Sequence, residues 1–324
     1  ATSTGTLTIT VTAVNDAPVA VSDTAIVDED TSLTVDVISN DTDVEGDTLT
    51  LTAATPDSSG TVSVNADGVS IDYTPAANFN GTGTITYTVS DGTATSTGTL
   101  TVTVTAVNDA PVAIADTATV LEDSALTNID IISNDTDVDV TDTLTLITAI
   151  PDSNGTVSVN ADGVSIDYTP SSNFNGTEVI TYTVSDGTAT STGTLTITVT
   201  AVNDAPVAIA DTASVEEDAA ITNINVILND TDVDITDTLT LTTAIPDSNG
   251  TVSVNADGVS IDYTPSSNFN GTEVITYTVS DGTATSTGTL TITVTAVNDA
   301  PVAVSDTAIV DEDTSLTVDV ISND

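Results

Sequence analysis

The chain has 324 residues, 49 of them aspartate or glutamate, and it contains no lysine, arginine, histidine or cysteine. Because no side chain can neutralise the carboxylates, their counter-charge has to come from outside the protein. Binding to nucleic acid or to anionic lipid depends on Lys and Arg, which the chain lacks. The chain also lacks His, Lys and Cys, which are the usual general bases and nucleophiles of enzymes. We therefore expect a protein that is not an enzyme, binds no nucleic acid and inserts no part of this segment into a membrane.

The motif Ala-Val-Asn-Asp-Ala-Pro-Val-Ala occurs four times, at spacings of 93, 95 and 95 residues. This spacing is the size of one small β-sandwich. Each of the three full units holds 14 acidic residues, whereas a disordered acidic tail would concentrate them in one block. We expect the chain to be part of a longer array. The predicted segments are the last strand of a preceding repeat (1–14), three Ig-like repeats (15–107, 108–202 and 203–297) and the first strands of a following repeat (298–324).

In every unit Val, Ile and Leu alternate with Thr and Ser, which is typical of half-buried strands. The predicted fold class is all-β, with seven-stranded Greek-key sandwiches, Ig-like or cadherin-like, in a linear array. In the first unit strands A to G are predicted at 19–27, 32–38, 48–53, 61–64, 69–74, 82–90 and 95–105. Their predicted inward residues are Leu33, Val35, Val37, Leu49, Leu51, Val62, Val64, Ile71, Tyr73, Ile85, Tyr87, Val89, Leu100, Val102 and Val104.

Strands that run alternately up and down place successive loops at opposite ends of a sandwich. The B–C loop, with Asp41 and Asp43, and the F–G loop, with Asp91, then lie at the same end as the entering linker Asn15-Asp16. Glu29, which follows strand A, lies at the other end with the exit linker. Each junction therefore gathers carboxylates from two repeats, and like charges about 4 Å apart at a protein surface repel by about 4 kcal/mol unless a cation lies between them.

Six to eight hard oxygen ligands at about 2.3–2.6 Å suit Ca²⁺, so calcium is the predicted cofactor. For the junction between the first two repeats the predicted ligands are Glu29, Asn108, Asp109, Asp135, Asp137 and Asp186. For the next junction they are Glu122, Glu178, Asn203, Asp204, Asp230, Asp232 and Asp281. By register we add Asn15, Asp16, Asp41, Asp43, Asp91, Glu217, Glu273, Asn298, Asp299 and Asp324.

Four motifs carry a resemblance to a known family: the Asn-Asp-Ala-Pro linkers, the Glu-Asp after strand A, the Asp-Thr-Asp of the B–C loop and Tyr-Thr-Val-Ser-Asp-Gly at the end of strand F. Over its whole length the chain resembles the bacterial cadherin-like and Ig-like tandem repeats of giant secreted adhesins. The resemblance implies an extracellular location, at the cell surface or in the matrix. It also implies calcium between repeats, held by Glu29, Asp43, Asp91, Asn108, Asp109 and their copies.

The chain departs from this family at Ala13 and Ala17, which occupy positions that often carry ligands, so the number of ions at each junction stays open. The acidic motifs also have plain interpretations. Asp91-Gly92 can equally be interpreted as an ordinary hairpin turn. The extra residues near Asn128 and Asn223 can be interpreted as a β-bulge, and the extra residue of the B–C loop as a tolerated insertion or a retuned site. The threonine-rich faces could bind ice, and Asp-Thr-Ala at Asp23, Asp116 and Asp211 could accept O-glycosylation. The plain alternative is that threonine favours strands and gives a soluble face without charge.

We expect a calcium-rigidified extracellular stalk or filament segment of a giant bacterial surface protein, which supplies length and stiffness for adhesion or matrix. Its partners are the neighbouring repeats of the same chain, with identical chains in a fibre as a further candidate. The alternatives are a ligand-binding adhesin module and a fibre subunit that polymerises by β-strand augmentation.

Overall fold

The computed structural model describes residues 1–324, which form β-strands and no helix, and therefore no helix that could span a membrane. The first repeat holds β1 (Asp23–Asp28), β2 (Leu33–Asp36), β3 (Thr50–Pro56), β4 (Gly60–Val64), β5 (Ser70–Pro75), β6 (Gly81–Ser90) and β7 (Thr95–Thr105). The second holds β8 (Asp116–Leu121), β9 (Leu126–Asp130), β10 (Thr145–Pro151), β11 (Gly155–Val159), β12 (Ser165–Pro170), β13 (Gly176–Ser185) and β14 (Thr190–Thr200). The third holds β15 (Asp211–Glu216), β16 (Ile221–Asn225), β17 (Thr240–Pro246), β18 (Gly250–Val254), β19 (Ser260–Pro265), β20 (Gly271–Ser280) and β21 (Thr285–Thr295).

Each repeat consists of a four-stranded sheet and a three-stranded sheet. In the first repeat the strand orders are β1-β7-β6-β3 and β2-β5-β4, and the other two repeats have the equivalent orders. β1 pairs with β7 in parallel, whereas the remaining pairs of the first repeat are antiparallel. The predicted all-β sandwich of seven strands is confirmed.

Contacts between Cα atoms group the chain into two compact units. The first unit comprises residues 1–120, 124–171 and 177–198, and the second comprises 121–123, 172–176 and 199–324. The predicted repeat boundaries stay a prediction, and the repeats serve below only as names for segments. Residues 1–18 and 296–324 form no strand.

The core of the first repeat lies between its two sheets and is centred on Tyr73 and Tyr87, which are both fully buried. The predicted inward positions are buried or half-buried with one exception. Val64 is 37% exposed, because it ends β4, an edge strand of the three-stranded sheet. Burial of the side chains therefore follows the two-residue period of the sequence except at the end of this edge strand.

Two local differences refine the predicted strands. β1 begins at Asp23, four residues later than expected, since Val19 makes only an isolated antiparallel bridge with Thr42. Asn128 and Asn223 have positive φ values of 53° and 56° at shifts in strand register, which confirms the β-bulges expected from the extra residues.

A glycine and a tyrosine fit together across the four-stranded sheet of each repeat. Gly98 pairs with Tyr87, and a Cβ atom built on Gly98 would lie 2.8 Å from Cε1 of that ring and closer still to Cζ. Gly193 and Gly288 meet Tyr182 and Tyr277 in the same way. Only glycine leaves room for the ring at this position.

We therefore expect Gly98→Ala to lower the free energy of unfolding of the first repeat by about 1–3 kcal/mol, the usual cost of overpacking a core. Urea denaturation followed by circular dichroism measures it. Thr97→Ala, on the exposed face of the same strand, is the matched control and should stay within about 0.5 kcal/mol of the parent. An unchanged midpoint for Gly98→Ala would contradict the tight Gly98–Tyr87 packing.

Candidate metal centres

The linker between the first and second repeats is held by carboxylates of the second repeat. Asn108 Nδ2 donates to Asp186 Oδ2 at 3.0 Å, and Asp109 N donates to Asp139 Oδ2 at 2.8 Å. The F–G loop and the B–C loop therefore meet the linker at one end of the repeat, as the alternation of loops predicts. The next linker shows the same bonds, Asn203 to Asp281 at 3.0 Å and Asp204 to Asp234 at 2.8 Å.

A buried glutamate from the preceding repeat holds the start of each linker. Glu29, 3% exposed, accepts a hydrogen bond at Oε1 from Val107 N at 2.7 Å. Glu122 Oε1 accepts the equivalent bond from Val202 N at 2.6 Å, and Glu217 repeats the arrangement. The three predicted glutamates thus lie at the linker, where each fixes the backbone just before the Asn-Asp pair.

Three carboxylates from the B–C and F–G loops converge in the second repeat and again in the third. Asp137, Asp142 and Asp186 offer oxygens within 4.8 Å of one another. Asp142 was not predicted as a ligand. It lies in the longer B–C loop of the second repeat, where its N–H bonds to the carbonyl of Asp139 at 2.9 Å. The equivalent group of the third repeat is Asp232, Asp237 and Asp281.

Several carboxylate oxygens at the junctions are buried and have no hydrogen-bond partner. Asp137 Oδ2 and Asp109 Oδ2 belong to the first junction. A buried anionic oxygen without a donor is costly, and the chain offers no cationic side chain to satisfy it. Equivalent orphan oxygens lie on Asp43, Asp204 and Asp232.

The electrostatic consequence is clearest for the linker aspartates. The pKa of Asp109 is raised first by burial and then by the neighbouring negative charges Asp30, Asp139, Glu29 and Asp137. The pKa of Asp204 is raised in the same way, by burial and by Asp123, Asp234, Glu122 and Asp232. These carboxylates are therefore close enough to repel one another.

The loop aspartates behave in the opposite way. The pKa of Asp186 is lowered, first by the Asn108 amide and then by the N–H groups of Ala189 and Thr188. Asp91 and Asp281 have lowered pKa values for the same reason, with the backbone N–H of the turn as the largest cause. The same aspartate therefore serves the hairpin turn and remains a candidate ligand. In Asp186, for example, Oδ1 accepts from the turn N–H groups and Oδ2 accepts from the linker residue Asn108.

The first aspartate of each Asp-Thr-Asp motif is anchored within its own repeat. Asp135 Oδ1 accepts from Ile114 N at 2.7 Å and lies 3.1 Å from the hydroxyl of Tyr182. That hydroxyl is also 2.8 Å from the carbonyl of Ile114 and 3.4 Å from Asp116 Oδ2, so one hydrogen faces three acceptors. The pKa of Asp116 is accordingly raised, by burial and by Asp135. The other carboxylate oxygen, Oδ2, of Asp41, Asp135 and Asp230 is buried and has no hydrogen-bond partner.

Glu178 and Glu273 lie inside their own repeats, fully buried in β13 and β20. Glu178 Oε2 accepts from Asn154 N at 3.2 Å, and Glu273 Oε2 accepts from Asn249 N at 3.2 Å. The structure thus directs these two predicted ligands to the turn after β10 or β17 and does not group them with the linker carboxylates.

The remaining predicted residues lie at the two ends of the chain. Asn15 donates to Asp91 Oδ2 at 2.9 Å, and Asp16 N lies 3.4 Å from Glu45 Oε2. Asn298 donates to the carbonyl of Asp299 at 3.0 Å. Asp324 accepts from Val304 N at 2.8 Å, which repeats the bond from Val21 N to Asp41.

The donor set fits a hard divalent cation. All the converging atoms are oxygens, several are buried without a hydrogen-bond donor, and the nearest charges are all negative. Carboxylate, amide and carbonyl oxygens are the ligands of Ca²⁺ in proteins, and no nitrogen or sulfur ligand for a transition metal is present.

Comparison with known proteins agrees with this organisation. Residues 15–105 and 108–198 match the family model of the bacterial Ig domain, and residues 203–296 match that of the bacterial cadherin-like domain. No curated protein sequence matches the chain.

Three solved structures are among those to which the chain is similar. Drosophila N-cadherin EC1-4 is 14% identical, with 85% of this chain and 75% of that chain covered and a TM-score of 0.40. An I-band fragment of titin is 10% identical, with coverages of 87% and 99% and a TM-score of 0.34. An endo-fucoidan hydrolase of glycoside hydrolase family 107 is 22% identical, with 82% of this chain but only 42% of that chain covered and a TM-score of 0.26. With two family matches that span most of its three repeats, the chain belongs to the bacterial Ig-like and cadherin-like tandem-repeat domains.

Proposed function

We propose that the chain is a segment of an extracellular stalk of a bacterial surface protein, and that calcium bound at each junction makes the stalk stiff. The observation that carries the proposal is the set of orphan carboxylate oxygens at both linkers, in a chain without one cationic side chain. Family membership supports an extracellular, adhesion-type role.

The residues that would hold the ion come from three segments. Asp137, Asp142 and Asp186 supply carboxylates from the loops of the second repeat, and Asp109 supplies one from the linker. Glu29 fixes the backbone before that linker and brings a further negative charge. A bound divalent cation supplies the positive charge that this group lacks. The linker is already bonded to Glu29 of the first repeat and to Asp139 of the second. With the cation bound, the carboxylates around this linker would no longer repel one another.

A binding or catalytic module finds less support in the structure. All six tyrosines are fully buried, and Phe79 and Phe269 pack against the cores of their repeats. Phe79, Phe174 and Phe269 are half-buried, so no repeat presents a fully exposed aromatic side chain for a ligand. The family and the composition, which lacks His, Lys, Arg and Cys, also support a role without catalysis.

We expect the full chain to bind calcium with a dissociation constant of about 10⁻⁴–10⁻³ M, the range of extracellular modules. Asp137→Asn together with Asp232→Asn should weaken binding at least tenfold, because each change removes an anionic ligand oxygen while its amide carbonyl still accepts from the turn. Isothermal titration calorimetry measures this. The control, Asp162→Asn with Asp257→Asn, removes the same charge from two hairpin turns. Equal affinities for both variants would refute the assignment.

Small-angle scattering should show that calcium extends the full chain. The chelated protein should sample bent arrangements, because repelling junctions leave the linkers loose, and its maximum dimension should rise on addition of Ca²⁺. The Asp137→Asn, Asp232→Asn variant should show no such rise at the same calcium concentration. An identical scattering profile with calcium and with chelator would count against metal-controlled stiffness even if calcium binds.

Calcium binding should also displace protons in a narrow acidic window. The raised pKa values of Asp109 and Asp204 mean that in the metal-free protein these groups contribute stability below pH 3.8, which is lost as the pH rises through their raised values. A cation favours the ionised form, so binding just above pH 3.8 should release more protons than binding at pH 7. A pH-stat titration measures the release, with Asp109→Asn, Asp204→Asn as the control. Equal release at both pH values would contradict this coupling.

A further inference from the structure

One broad surface of each repeat carries almost no charge, namely the outer face of the four-stranded sheet. In the first repeat exposed or half-buried threonines pair across β6 and β7: Thr82 with Thr103, Thr84 with Thr101, Thr86 with Thr99 and Thr88 with Thr97. We call this surface, with its equivalents in the other repeats, the threonine face. In the third repeat the pairs are Thr272 with Thr293, Val274 with Thr291, Thr276 with Thr289 and Thr278 with Thr287.

The charge of the repeat lies elsewhere. On the three-stranded sheet Asp36 and Asp72 face outward and Asp67 occupies the hairpin between β4 and β5. The loops at both ends hold the carboxylates of the junctions. The only acids on the four-stranded sheet's outer face are Asp28 and Glu216, each the last residue of an edge strand. In a chain of net charge −49 the acids are therefore segregated from this face.

The hydroxyl groups of the face are partly satisfied within the sheet. Thr148 Oγ1 lies 3.1 Å from Thr183 Oγ1, and Thr243 Oγ1 lies 2.9 Å from Thr278 Oγ1. The face therefore offers a partner methyl and hydroxyl groups and almost no charge. Aliphatic side chains at its margin add to this, since Ile150 and Ile245 are each 64% exposed. Such a surface can be covered without leaving buried carboxylates.

We propose that the threonine face is where two copies of this chain pack side by side, sheet against sheet. Any other surface would bring carboxylates of one copy against those of the next, and no lysine or arginine exists to pair with them. The face suits contact between identical copies, because it carries almost no charge and the same cross-strand pairs recur along it. The contact uses faces rather than strand edges and so differs from β-strand augmentation.

The size of the face sets how many repeats the contact needs. Four strands about 4.8 Å apart and about seven residues long make roughly 450 Å² per repeat. A stable interface buries about 800 Å² on each partner, so the face of one repeat is too small and the contact needs the faces of at least two repeats. Because the same face recurs in each repeat, many weak contacts add up along the chain.

Salt should strengthen the association, in contrast to a contact made by ion pairs. The net charge opposes contact at low ionic strength, where the Debye length is about 30 Å at 0.01 M, and is screened at 1 M, where it is about 3 Å. Sedimentation velocity of the full chain with chelator, at 0.01 M and 1 M NaCl, measures this without calcium bridges. The result therefore does not depend on the proposed calcium sites. We expect monomer at low salt and a concentration-dependent dimer at high salt.

Three matched variants locate the contact. Thr86→Asp, Thr181→Asp and Thr276→Asp together place one charge on each threonine face and should weaken dimerisation at least tenfold at 1 M NaCl. Thr61→Asp, Thr156→Asp and Thr251→Asp add the same charge to exposed positions of the three-stranded sheets and should leave it unchanged. Thr86→Val, Thr181→Val and Thr276→Val should strengthen it.

Two results would overturn the proposal. One is a parent protein that stays monomeric at 1 M NaCl up to millimolar concentration, which would show that the threonine face does not bind a second copy of the chain. The other is a dimer that the two aspartate variants weaken equally, which would place the contact on a different surface. Circular dichroism and thermal melts of each variant separate a lost contact from a lost fold.

Discussion

The organisation of this chain depends on one constraint: every carboxylate has to be satisfied without a cationic side chain. One group of aspartates is satisfied by donors of its own backbone and hydroxyls. The pKa of Asp67, for example, is lowered by the Ser70 hydroxyl and then by the N–H groups of Val69 and Ser70. A second group, with Asp109 and Asp204, has raised pKa values because burial and like charges outweigh its donors. A cation from outside would supply the positive charge that this second group lacks.

The β-sandwich separates these groups in space. Strand pairing uses up backbone donors along the body of each repeat, so exposed carboxylates there cap turns or lie on the three-stranded sheet. Glu178 and Glu273, buried in the four-stranded sheets, accept from the N–H groups of a turn. At the linkers the chain is not paired in strands, and N–H groups and carboxylates meet directly, as Asp109 N meets Asp139. The neutral face and the acidic junctions are therefore two results of one arrangement, in which charge is moved to the ends and to one sheet.

The sequence was sufficient for the strands and most of the cores because alternation determines which side chains point inward. It also brought the F–G loop aspartates Asp91 and Asp186 to the linkers, since loop parity depends only on strand order. It failed where a side chain's direction depends on three-dimensional context. Glu178 occupies the inward position held by Gly83 in the first repeat, and the structure turns it to Asn154. Asp142 was missed because the longer loop shifts it relative to Asp47.

That shift has a physical basis in the length of the B–C loop. In the first repeat Gly46 has a φ of 79° and the loop folds back so that Asp47 N bonds to Asp43 Oδ1 at 3.2 Å. In the second repeat the extra residue lets Asp142 N bond to the carbonyl of Asp139 instead, and its carboxylate joins those of Asp137 and Asp186. One inserted residue thus brings the carboxylate of Asp142 into the group of converging oxygens, which does not include the corresponding Asp47 in the first repeat. Loop length, with the same acidic content in every repeat, sets how many anionic oxygens converge at a junction.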